Sequence, residues 1–122
     1  MARILIAEDN EMIRHLVWEA LETHGHQITE AEDGREALRL WDPYRFDLLI
    51  TDMQMPMAGG HEVIQRIRTD TPNAKIIAMS ADPTILRALR RVALTTPQYS
   101  FTKPVSLHRL QAAIGSFELT AA

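Results

Sequence analysis

Residues 46–56, FDLLITDMQMP, decide the fold. Leu48-Leu49-Ile50 is an apolar run without polar alternation, strand-length and bounded by turn residues. Such runs arise where a parallel sheet is covered on both faces. The run delivers one carboxylate, Asp52, and breaks into a Met-rich turn closed by Pro56. Ligands of open α/β sheets collect at the carboxyl ends of the strands, so Asp52 stands at a binding edge.

Working outward, residues 4–7 form a short apolar strand that ends in Glu8-Asp9-Asn10. Ile13, Leu16, Val17, Ala20 and Leu21 recur at helical spacing until Gly25 stops them. Gln27–Ala31 is a weaker strand, expected near an edge. Gly34 opens a second helix carrying Ala37, Leu38 and Trp41, and Pro43 ends it. Past the central strand, Val63, Ile64 and Ile67 mark a third helix, closed by Thr71-Pro72-Asn73. Residues 75–79 form another buried strand, ending at Ser80. Asp82-Pro83 is a helix start, an N-cap followed by proline at the first helical position. Ile85, Leu89, Val92 and Ala93 are expected to give that fourth helix its apolar face. Tyr99–Thr102 is the last strand, and Ser106 caps a final helix with Leu107, Leu110, Ile114 and Phe117 on one side.

Strict alternation of five strands and five helices predicts right-handed βαβ crossovers and a parallel sheet between two helical layers. The fold class is α/β, a flavodoxin-like (βα)5 doubly wound sheet with strand order 2-1-3-4-5, expected to occupy residues 1–122 as one domain. The length of 122 residues suffices to bury a core. An apolar fraction of 46% and a charged fraction of 24% are globular values. A net charge of −3 argues against a nucleic-acid partner. The absence of cysteine excludes disulfide and thiol chemistry. The residues before Glu8 are too few for a signal peptide or membrane span, so a cytoplasmic protein without a membrane partner is expected.

On this frame Glu8 and Asp9 follow strand one, Asp52 ends strand three, Ser80 ends strand four and Lys103 ends strand five. Strands one and three flank the topological switch point. Three carboxylates meeting there repel one another unless a cation intervenes. All-oxygen ligation with few protein donors suits Mg²⁺. Lys103 supplies a positive charge for a phosphoryl group and Ser80 a hydroxyl donor. A carboxylate placed like Asp52 can act as the nucleophile in phosphoryl transfer, giving an aspartyl phosphate.

At these residues the sequence resembles the receiver domain of two-component response regulators, in a stand-alone, chemotaxis-regulator-like form. The resemblance runs from ILIAEDN through LLITDMQMP and IIAMSA to FTKP. No single piece is decisive; the ordered set at four strand ends is. The resemblance implies that Asp52 is the phosphoacceptor, charged by a histidine kinase or a histidine phosphotransfer protein. It implies that Asp9 ligates Mg²⁺ directly, Glu8 through water, and Gln54 through its backbone carbonyl, beside Asp52 itself, with Mn²⁺ as a substitute ion. Ser80 matches the hydroxyl residue that follows the phosphoryl group, and Lys103 the family lysine, preceding a Lys103–Pro104 bond that is usually cis. The chain would be a signalling phosphoacceptor, not an enzyme on other substrates, and its output an interaction with an unknown protein. The fourth helix, fifth strand and fifth helix are the expected output face, with Arg87, Arg90 and Arg91 as candidate contacts.

Each residue also has a plainer reading. Glu8, Asp9 and Asn10 could cap the first helix, Asp52 form a turn, Ser80 act as a cap, and Lys103 be solvated. All five histidines read as surface residues, and the helical apolar stripes as core. Rival functions are a phosphorelay intermediate and a phosphate-independent pseudo-receiver. A metal-dependent phosphatase would need a second carboxylate soon after Asp52, and residues 53–58 hold none. The sequence departs from the family at Ala58-Gly59-Gly60, where Met-Asp-Gly is usual, and at His61, where an apolar residue is typical. It also places Ser100, flanked by Tyr99 and Phe101, where the family has an inward-turning aromatic. A bulge or longer loop would be needed to bring Tyr99 into that role.

Overall fold

Strand β3 (Leu48–Asp52) lies at the centre and is buried at every position. In the computed structural model, which describes residues 1–117, it pairs in parallel with β1 (Arg3–Ala7) and β4 (Ile76–Ser80). Strand β2 (Gln27–Ala31) forms one edge and β5 (Tyr99–Thr102) the other, giving the order β2-β1-β3-β4-β5. The flavodoxin-like architecture and the edge position of β2 are as the sequence predicts.

Alternate strand residues serve two cores. Leu5, Ala7, Leu49, Ile76 and Ala78 pack with Ala37 of α2 (Gly34–Leu40), and with Val63, Ile64 and Ile67 of α3 (Gly60–Asp70). Leu86, on α4 (Pro83–Ala88), joins them. Ile4, Ile6, Leu48, Ile50, Ile77 and Met79 pack with Val17 and Leu21 of α1 (Glu11–Thr23), and with Leu110, Ala113 and Ile114 of α5 (Leu107–Ser116). Both faces are therefore dry, which is why the strands show no polar alternation.

Caps fix the helix starts where the sequence places them. Asn10, Asp33, Asp82 and Ser106 each accept a backbone N–H of their own first turn. Asn10 does the capping of α1, which releases Glu8 and Asp9 from that duty. The second helix ends at Leu40, with Trp41 at its C-cap.

Three expectations need correction. The fourth helix is short: α4 stops at Ala88, and two single turns of 3-10 helix come after it, Leu89–Arg91 and Ala93–Thr95. Val92 and Ala93 are exposed, and Leu86 rather than either of them is buried. Thr95 Oγ1 donates to Leu89 O at 2.9 Å and Thr96 Oγ1 to Val92 O at 2.9 Å, diverting carbonyls that a longer helix would use. Second, Leu16 and Leu107 are largely exposed and so stand apart from the core assigned to their stripes. Third, His26 is half-buried and accepts the Ala2 N–H on Nδ1 at 3.0 Å, while the other four histidines are exposed.

The β4–β5 register is uninterrupted: Tyr99 lies opposite Ile77, Ser100 opposite Ala78, Phe101 opposite Met79 and Thr102 opposite Ser80. Ser100 therefore faces the α2–α4 side, and Tyr99 and Phe101 face α5. Tyr99 stacks on Phe101 at 6.5 Å, meets Phe117 edge-on, and its hydroxyl lies 2.7 Å from Ser116 Oγ. No bulge brings Tyr99 to the Ser100 position.

Candidate functional site

The four strand ends bring the predicted residues together. Glu8 follows β1 and is fully buried. Its Oε2 accepts the Asn10 N–H at 3.1 Å, and its Oε1 lies 2.6 Å from Lys103 Nζ. The same ammonium is 3.2 Å from Asp52 Oδ2. Asp52 is 4% exposed, and its Oδ1 sits 3.4 Å from the exposed Gln54's N–H. Asp9 is exposed, so the cluster has a buried side and a side open to solvent. Carboxylate oxygens of Glu8, Asp9 and Asp52 lie within 4.8 Å of one another. Ser80 is fully buried at the end of β4, and its Oγ accepts the Asp82 N–H at 3.0 Å. Asp82, not Ser80, caps α4, through the Thr84 N–H at 2.8 Å. The Lys103–Pro104 bond is cis.

Packing several charges in one dry corner shifts their equilibria. Burial pushes the Glu8 carboxyl up to about 7; the Asp52 charge adds to that, while the Lys103 ammonium and the Asn10 N–H oppose it. Burial alone would lower the pKa of Lys103. The hydrogen bond to Glu8 and the charges of Glu8 and Asp52 outweigh it and raise it above the ordinary lysine value, so the ammonium is retained.

Two arginines that carry this arrangement were not singled out from the sequence. Arg14, one turn into α1, donates Nη1–H to the Glu8 carbonyl at 2.9 Å and Nε–H to Glu30 at 3.3 Å, pinning the acidic turn to β2. Arg68 of α3 is buried and donates to the carbonyls of Ala74, Leu94 and Thr96 and to Gln98 Oε1, tying the 3-10 segment to α3. Its position after Val63, Ile64 and Ile67 on the apolar stripe was the available signal.

The donor set is all oxygen, partly open to water and short of positive charge, with one ammonium against three carboxylates. It fits a hard divalent cation that keeps part of its hydration.

Comparison with known proteins identifies the family. Residues 4–115 match the family model of the response regulator receiver domain. A response regulator receiver protein of Anaeromyxobacter sp. (strain Fw109-5) is 37% identical over 112 residues, covering 90% of this chain and 46% of that protein. Among solved structures, a response regulator receiver domain protein from Clostridium thermocellum superposes with a TM-score of 0.87 at 26% identity, covering 95% of this chain and 93% of that one. The response regulator TrrA of Thermotoga maritima, solved in complex with Mg²⁺–BeF, gives a TM-score of 0.83 at 32% identity, covering 95% and 98%. The chain belongs to the response regulator receiver domains, the phosphorylation-dependent signalling domains of two-component systems. It spans less than half the length of the curated relatives it matches. Among the described residues no helix is long and apolar enough to cross a membrane.

Proposed function

We propose that Asp52 is the phosphoacceptor of this receiver, taking a phosphoryl group from a histidine of a histidine kinase or phosphotransfer protein. The observation that carries this reading is the Lys103 ammonium bridging Glu8 and Asp52 at 2.6 and 3.2 Å, with the buried Ser80 ending the neighbouring strand β4. An Asp52 carboxylate oxygen attacks phosphorus, the O–P bond forms, the N–P bond breaks, and its electron pair leaves with the donor imidazole. Lys103 faces the phosphoryl oxygens as a fixed positive charge. Ser80 Oγ accepts from Asp82 and keeps its own proton to donate to a phosphoryl oxygen. Asp9 and Asp52, the Gln54 carbonyl and, through water, Glu8 would hold Mg²⁺, with Mn²⁺ able to replace it. Bound there, the ion offsets charge between the carboxylate and the phosphoryl oxygens.

The donor protein docks next to this edge, over an apolar cleft of about 170 Å³ lined by Ile13, Leu16, Val17, Pro104, Val105 and Leu107. Residues 1–122 act as one cytoplasmic receiver unit whose output is protein binding. The exposed Arg87, Arg90 and Arg91 of α4 and the turn after it are its candidate contacts. A second reading, a phosphate-independent interaction module, draws support from Ser100, which occupies the α4-facing position without an aromatic ring.

Phosphorylation by acetyl phosphate in the presence and absence of Mg²⁺, in the native chain and in Asp52→Asn, tests the proposal. Labelling that needs both the ion and Asp52 is expected. Equal labelling of the two proteins would sink the site, and full partner binding by Asp52→Asn would favour the second reading.

A further inference from the structure

The α2 and α3 helices enclose a second polar feature, distinct from the phosphoryl site. A solvent-open cleft of about 380 Å³ runs between them, lined by Arg35, Leu38 and Arg39, by Met57 and Ala58 of the β3–α3 loop, and by Glu62 and Arg66. Its volume lies in the range of ligand sites. Three guanidiniums thus meet on a concave surface in a chain whose net charge is −3.

Their existing partners hold them loosely. Arg39 is 3.7 Å from Glu36 and Arg66 is 3.5 Å from Glu62, both on largely exposed arginine side chains. Pairs of that kind contribute little and exchange readily with an incoming anion. Arg35 makes no ion pair among the described residues. Guanidinium forks match carboxylates in two-point geometry, which a lysine patch would not.

Met57 is an independent observation on the same cleft. Its φ is 74°, the left-handed region that a side chain ordinarily avoids, and the residue is 66% exposed. A strained backbone that presents a flexible apolar side chain to solvent is consistent with a surface used for contact. Leu38 and Ala58 extend the apolar part of the cleft.

The cleft shares Met57 and Ala58 with the loop that leaves Asp52. A Cβ on Gly34 would stand 1.9 Å from the Ala58 carbonyl, and one on Gly60 2.5 Å from the Asp52 carbonyl. Only glycine permits these approaches, so the first turns of α2 and α3 clamp the loop that leaves Asp52. An occupant of the cleft would touch that loop directly.

We propose that the α2–α3 cleft is a docking site for an acidic peptide segment of a partner protein, with carboxylates on Arg35, Arg39 and Arg66 and an apolar side chain against Leu38 and Met57. The mixed lining favours such a segment over nucleic acid: Leu38, Met57 and Ala58 reward an apolar side chain between the acids, which a continuous phosphate backbone does not offer. The site stands whether or not Asp52 accepts phosphate.

Fluorescence anisotropy of a labelled peptide of alternating Glu and Leu, titrated with the full chain at low salt, tests this. Arg35→Ala with Arg66→Ala should weaken binding about tenfold, roughly threefold for each guanidinium, and added salt should weaken it in the native chain. Arg45→Ala with Lys75→Ala removes the same charge elsewhere and should change binding less than about twofold, the spread of surface effects. Met57→Ala should reduce the preference for the Glu–Leu peptide over an all-Glu peptide. Urea unfolding confirms that each variant is folded. Equal weakening in both double variants, or no weakening in the first, overturns the proposal. So does a DNA duplex that displaces the peptide with the same arginine dependence.

Discussion

The two ends of the binding edge are built differently. At the β1–β3 end the buried charged groups are fixed: Glu8 is fully buried between the Asn10 N–H and Lys103, its carbonyl is held by Arg14, and Lys103 spans to Asp52. At the β4–β5 end Ser80 keeps its place, but the segment beyond it is only partly α-helical. The helix after Ser80 is six residues long, Val92 is 54% exposed, and Ser100 faces α4 where the resemblance leads one to expect a ring. The contrast separates two tasks. Accepting a phosphoryl group requires the first end and Ser80. Relaying its arrival requires an element with two arrangements, and the second end carries no aromatic side chain suited to that part.

The comparison breaks most severely at Lys103. Lys103→Ala removes the ammonium from three carboxylates and leaves Glu8 buried without its counter-charge. Phosphorylation by acetyl phosphate should slow about a hundredfold, as for loss of one group stabilising transition-state charge. A loss of less than about threefold would mean that the ammonium is structural.

Next comes the loop that joins the edge to α2 and α3. Gly34→Ala drives a methyl into the Ala58 carbonyl. It should destabilise the fold by about 2 kcal/mol, read from the urea midpoint at unchanged slope. An unchanged midpoint would show that the loop yields freely, and the two ends would then be less different than described.

A pH effect separates the site from the rest of the fold. Burial holds the His26 imidazole below its ordinary pKa, helped by the nearby amino terminus and His24. Folded His26 is therefore neutral where the unfolded chain begins to protonate. Its contribution to stability should be level above about pH 6.5 and decline as the pH falls from there toward the folded value, against the Glu8 contribution, which rises as the pH falls below about 7. His26→Gln should remove that decline, making the variant gain relative to the native chain as the pH falls, and leave phosphorylation unaltered. A profile identical to that of the native chain would contradict the assignment.

The smallest effect is expected at Tyr99. Tyr99→Phe removes one exposed hydrogen bond to Ser116. It should cost about 0.5 kcal/mol in urea unfolding and leave the phosphorylation rate untouched. A changed rate would show that Tyr99 serves the switch from the α5 side after all.

Much of this was legible in the chain. The run at residues 48–50 announced a strand dry on both faces, and the polar residues after each apolar run converge because parallel strands end on one edge. Asn10 and Asp82 were recognisable as caps by position, though which member of Glu8-Asp9-Asn10 capped α1 was open. The fourth helix was overestimated because spacing registers apolar period but not competition for carbonyls. The hydroxyls of Thr95 and Thr96 take those of Leu89 and Val92, and Arg68 takes those of Leu94 and Thr96. Arg14 and Arg68 act mainly on backbone oxygens, which side-chain patterns do not reveal; only the place of Arg68 on the apolar stripe of α3 pointed to its burial. The exposure of Leu16 and Leu107 was hidden for a related reason: a stripe gives the face, not how far the neighbouring helix covers it.

Locating the phosphoryl group tests the central claim most directly. The native chain, charged with acetyl phosphate in Mg²⁺, is cleaved at acid pH and its peptides are weighed by mass spectrometry. The label should sit on the peptide containing Asp52 and fail to form when Mg²⁺ is chelated before acetyl phosphate is added. A label on any other residue, or one that forms without Mg²⁺, would contradict it.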